Sequence, residues 1–86
     1  MIMSDKIEIK LYVPTIDAKY DVLIPKNKRI YVIIDLLVRA INEFSGGYYK
    51  PKDLPNLYDK NSAKQIDYNL KVMESTIKNG TELILL

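Results

Sequence analysis

Cysteine, histidine and tryptophan are absent from these 86 residues, and glycine occurs only three times. Without thiolates or imidazoles there is no disulfide framework and no zinc-type site, so packing alone has to stabilise the chain. A histidine base and a cysteine nucleophile are excluded as well, which leaves carboxylates, lysines, tyrosines and hydroxyls for any chemistry. These do not cluster. Asp17 with Asp21 and Asp53 with Asp59 fall where turns and strand edges are expected, and there acidic residues serve solubility and capping. The run Asp59-Lys60-Asn61-Ser62-Ala63 lacks the glycine and closing glutamate of a calcium loop. The glycines are the pair Gly46-Gly47 and the isolated Gly80, too few for a phosphate cradle. No catalytic residue, cofactor site or metal site is therefore expected, and the chain reads as a non-enzyme.

Long apolar runs are missing too. None approaches the roughly 18 residues that span a bilayer, and Met1 to Lys6 has no basic region leading into an apolar stretch, so neither membrane insertion nor this secretory route is expected. Absence of cysteine agrees with a reducing compartment, and the expectation is a cytoplasmic protein. Charge of one sign is scarce: thirteen basic against eleven acidic side chains leave a net +2, with lysines dispersed among acidic residues. That is a poor footprint for nucleic acid, and Lys26-Asn27-Lys28-Arg29 reads as a solvated loop before a helix. Apolar residues make up 48% and charged residues 28%, a balance that folds. The length accommodates a single domain over 1–86, with an ordered core from about residue 6 to residue 86.

From Lys6 to Val13 the chain alternates strictly, Ile7, Ile9, Leu11 and Val13 against Lys6, Glu8, Lys10 and Tyr12, the period of a half-buried strand. Pro14 to Asp17 supply a turn, and Tyr20, Val22 and Ile24 alternate with Asp21 and Leu23 in a second strand, giving an antiparallel hairpin. Ile30, Ile34, Leu37, Ile41 and Phe44 recur at helical spacing after Asn27, which is positioned as an N-cap. The β-branched run Tyr31-Val32-Ile33-Ile34 makes a strand a local competitor, but the length of the pattern favours helix. Ser45-Gly46-Gly47 stops it. Asn56-Leu57-Tyr58 and Lys64-Gln65-Ile66 are short strand candidates, Met73 to Ile77 a helical turn, and Thr81 to Leu86 a final strand. That strand is apolar on both faces, as in a central position, and its expected neighbour is the first strand, in parallel. The fold class is α+β, a β-grasp with one helix packed on a mixed four- to five-stranded sheet.

This element order, with the segment Ile77-Lys78-Asn79-Gly80-Thr81-Glu82-Leu83, resembles ubiquitin-like domains and most closely the small bacterial YukD/EsaB family associated with type VII secretion. Val22-Leu23-Ile24-Pro25, Leu36-Leu37 and Leu57-Tyr58-Asp59-Lys60-Asn61 support it, while the loop from Gly46 to Leu54 has no counterpart in that pattern. The resemblance implies a protein-binding accessory or regulatory component of a type VII-like secretion system, acting on its cytoplasmic parts. Ubiquitin and the sulfur carriers act through a C-terminal Gly-Gly. This sequence reads Leu83-Ile84-Leu85-Leu86 there, so sulfur transfer and conjugation are the disfavoured alternative.

Seven tyrosines offer large contact area with polar tips. If the first and last strands are neighbours, Lys10, Tyr12, Ile84 and Leu86 share the open face of the sheet, the side such domains use for partners. Tyr48 and Tyr49, in the loop after the helix, form a second candidate. The alternatives are that the outward apolar residues are ordinary surface, that Tyr48 and Tyr49 pack beneath their loop, or that the face closes a homodimer in a structural subunit.

Overall fold

A computed structural model describes residues 5–86. Strand β1 runs Lys6–Val13, β2 Ala18–Pro25, helix α1 Ile30–Phe44, β3 Leu57–Asp59 and β4 Glu82–Leu85. The sheet order is β2-β1-β4-β3, with β1 antiparallel to β2, parallel to β4, and β4 antiparallel to β3. The hairpin and the parallel central pair expected from the alternation are both present, and the sheet has four strands. Lys64–Ile66 contributes no fifth: it supplies only the isolated bridge between Gln65 and Tyr58.

Alternation explains the core. Ile7, Ile9, Leu11 and Val13 from β1, Leu57 from β3, and Leu83 and Leu85 from β4 are buried on one face. Ile30, Ile33, Ile34, Leu37 and Ile41 of α1 join them in one cluster. The β-branched start of the helix is thus helical because Ile30, Ile33 and Ile34 bury their side chains there, and burial at roughly 1.5–3 kcal/mol per side chain exceeds a propensity deficit of tenths per residue.

Two local expectations are corrected. Asn27 does not cap α1; the N-cap is Arg29, with no side-chain cap bond. The free N–H groups of the first turn are instead taken by distant carbonyls, Ile30 donating to Leu70 O at 2.8 Å and Tyr31 to Tyr68 O at 3.1 Å. Phe44 does not enter the core either: it is 61% exposed, its ring 5.6 Å from that of Tyr20 on β2. The helix ends as read, with Gly46 and Gly47 at φ +69° and +90° and Gly47 donating to Asn42 O at 2.7 Å.

The segment Asn79-Gly80 is an architectural latch. Gly80 N–H donates to Glu8 O at 2.8 Å, and Asn79 Oδ1 accepts from Glu8 N–H at 2.9 Å. This Asn-Gly reversal therefore places β4 against β1, and its residues serve the fold directly.

Candidate protein-binding surfaces

The sheet face opposite α1 is built by the residues between the core positions. Register aligns them in rows. Lys19 on β2 pairs with Tyr12 on β1, Tyr12 with Ile84 on β4, and Ile84 with Tyr58 on β3, so Lys19, Tyr12, Ile84 and Tyr58 form one row across all four strands. The next row is Asp21, Lys10 and Glu82, continued by Lys60 through an ion pair of 3.5 Å with Glu82. Tyr12, Ile84 and Tyr58 are half-buried, giving a strip of apolar area beside a row of alternating charge.

Tyr12 is held in place from two sides. Its hydroxyl donates to Asp17 Oδ1 at 3.0 Å, and the Lys19 ammonium lies 5.9 Å from its ring centroid. Asp17 reaches it from a left-handed backbone conformation, φ +47°, at the hairpin turn. Accepting that hydrogen bond, the Asp17 carboxylate favours the neutral phenol and holds Tyr12 above the ordinary tyrosine range.

The six residues picked out by sequence thus separate into three groups. Lys10, Tyr12 and Ile84 share the outer face. Leu86, 57% exposed, has its backbone paired with Asn56 in both directions at 3.0 Å and borders a depression at the end of the sheet. Tyr48, 87% exposed, lines that same depression with Ile16 and Leu54. Tyr49 belongs to the core, with 5% of its surface accessible, and its ring is not offered to a partner. Its backbone is pinned where the helix ends, Tyr49 N–H donating to Ser45 Oγ at 3.0 Å and Asn42 Nδ2 to Tyr49 O at 2.8 Å. Tyr58 was missed by sequence reasoning. The signal was available, because a strand that buries Leu57 turns its neighbour outward.

Burial pushes the Tyr49 phenol up, since the phenolate would lose hydration. An unfolded tyrosine ionises near pH 10, so between that value and the raised folded one the unfolded state releases its proton first. The stabilising contribution of Tyr49 is accordingly complete below about pH 10 and lost as pH rises through the folded value. Denaturation followed from pH 8 to pH 12 is expected to show falling stability, to which Tyr12 contributes in the same direction, and Tyr49→Phe is expected to make the fall shallower; an unchanged slope would refute the assignment.

Among the described residues no charged side chain is buried, and no three His, Cys, Asp or Glu side chains converge as a metal site. No helix among them is long and apolar enough to cross a membrane.

No known family model and no curated protein sequence matches the chain. Solved structures do match its fold. A chain of the MycP5-free ESX-5 inner membrane complex superposes with TM-score 0.79 at 15% identity, over 96% of this chain and 21% of that one. This chain thus spans about a fifth of that protein. The ubiquitin-like domain of the Mycobacterium tuberculosis type VII secretion system protein EccD1 gives 0.74 at 14% identity, over 98% and 99%. A chain of the toluene 4 monooxygenase HD complex gives 0.76 at 7% identity, over 93% and 95%. The fold is ubiquitin-like. At such identities the likeness establishes architecture, and the monooxygenase component shows that the architecture serves more than one task.

Proposed function

We propose that this ubiquitin-like domain is a non-catalytic interaction module that docks on a protein partner through the outer face of its sheet, without covalent attachment. The carrying observation is the cross-strand row of Lys19, Tyr12, Ile84 and Tyr58. It supplies aromatic and aliphatic anchors, of which Tyr12 is oriented by Asp17 at the hairpin turn, beside a charge row that is balanced overall. Aromatic anchors in a partly desolvated setting are what protein interfaces concentrate their binding energy on. The balanced charge suits a protein surface better than a phosphate backbone.

The proposed setting is a bacterial type VII-like secretion system, with the chain as an accessory or regulatory component on the cytoplasmic side, comparable to YukD/EsaB proteins. The sequence pattern around Asn79-Gly80 and the likeness to the EccD1 ubiquitin-like domain support this. Affinity capture from native cells is the test, comparing wild type with Ile84→Asp and with Tyr58→Ala. Wild type is expected to retain cytoplasmic parts of the secretion machine, and Ile84→Asp to bind them at least about thirtyfold more weakly with an unchanged circular dichroism spectrum. Equal retention by Ile84→Asp would eliminate the outer face. Retention of no secretion component would eliminate the setting, and a mass shift of the chain recovered from cells would favour a covalent carrier.

A further inference from the structure

Strand β2 is an edge of the sheet, and its free side carries a pattern that matches itself. On β1, Glu8 O accepts from Gly80 N–H and Lys10 N–H donates to Thr81 O, so its even-numbered residues bond toward β4. Its odd-numbered residues therefore bond toward β2, to their register partners Ala18, Tyr20, Val22 and Ile24. It follows that Lys19, Asp21 and Leu23 direct their N–H and C=O groups away from the sheet, and no described residue pairs with them. The free stretch is bounded by Asp17, in left-handed conformation, and by Pro25, which has no N–H to give. Natural proteins blunt such edges with short strands, charged side chains, lysine above all, proline or bulges. Here Lys19 is followed two residues later by Asp21, and both are exposed.

We propose that two copies of this chain associate edge to edge through β2, antiparallel about a two-fold axis at Tyr20, extending the sheet across both. Outward backbone groups lie on odd residues, so only registers that oppose odd residues form hydrogen bonds. With Tyr20 opposite its own copy, Lys19 of each chain faces Asp21 of the other, twice by symmetry. Sliding two residues one way brings Asp21 against Asp21; sliding the other way brings Lys19 against Lys19. Like charges directly opposite are destabilising, so charge selects the central register. That register also brings the two Tyr20 side chains together on the helix face, each backed by its Phe44. An aromatic residue that the helical pattern directs inward, yet is 61% exposed against Tyr20, gains a covering there. The association engages Lys19 and Asp21 at the strand edge and leaves Tyr12, Ile84 and Tyr58 of the outer face open, so Ile84→Asp separates it from the docking proposal.

Sedimentation velocity on wild type across a concentration series is expected to show a reversible dimer. Lys19→Asp and Asp21→Lys, each alone, place like charges in opposition and are expected to weaken it at least about tenfold. An equimolar mixture of the two variants restores opposite charges at both contacts and is expected to dimerise as wild type does. Phe44→Ala is expected to weaken the dimer as well, and amide exchange at Lys19 and Asp21 to slow as wild-type concentration rises. A wild type that stays monomeric up to about 1 mM, single variants that dimerise as tightly as wild type, or a mixture that stays monomeric would each overturn the proposal. So would a dimer abolished by Ile84→Asp and untouched by Lys19→Asp, or a monomer whose β2 edge binds an extended peptide instead.

Discussion

Leu83→Ala is expected to lower the stability of this domain by about 3.5 kcal/mol, the middle of the range for removing a buried leucine side chain. Leu83 has no accessible surface, and it stands on β4 between Leu11 of β1 and Asp59 of β3, beneath the helix. With strands on both sides the site cannot collapse far, so most of the vacated volume remains as cavity. A chain of this length is held by roughly 4–13 kcal/mol, so the loss is a large part of the whole. In urea it corresponds to a midpoint about 2 M lower. Leu23→Ala is the matched control, since Leu23 is 61% exposed on the outer side of β2. It is expected to change stability by less than about 0.5 kcal/mol. Equal effects of the two substitutions would mean that the alternation does not divide core from surface as described.

The second large effect separates two adjacent tyrosines. Tyr49→Ala is expected to cost about 3 kcal/mol, as removal of a buried aromatic ring does, while Tyr48→Ala stays within about 0.5 kcal/mol. Tyr49 is 5% exposed and Tyr48 87%. The bonds to Ser45 and Asn42 involve only the Tyr49 backbone and persist in the alanine variant, so the measured loss reports packing of the ring. Chemical denaturation of both variants checks this. A Tyr49→Ala protein as stable as wild type would return that ring to the surface and to the list of binding candidates.

These two positions also show where sequence reasoning succeeds and where it stops. In β1, period-two alternation over eight residues left one consistent arrangement, because a slip of one residue would turn every isoleucine, leucine and valine to solvent. Tyr48 and Tyr49 lie outside any repeat, with identical local chemistry, and which one points inward depends on a turn tied down by Ser45 and Asn42. Phe44 failed for a related reason. Helical spacing places it beside Ile41, but the buried residues of the helix end at Ile41, and the ring packed against Phe44 is Tyr20 on the edge strand. Asn27 failed because the helix start is satisfied by carbonyls of residues 68 and 70, about forty positions further along the chain.

The proposed docking face was partly legible. Tyr12 and Ile84 follow from alternation once β1 and β4 are neighbours. The alignment of Lys19 and Tyr58 into the same row depends on register across four strands, which a single strand's pattern does not contain. Composition and periodicity alone determined that the chain has no thiol or imidazole chemistry, one core, one long helix, and a hairpin followed by a central apolar strand. These are local or additive properties, readable wherever one face is wet and the other dry. Tertiary structure alone decided which tyrosine is core, what caps the helix, where Phe44 lies and which outward side chains share a row. Each of those is a contact between segments distant in sequence, settled by register and by the space left once the core has packed.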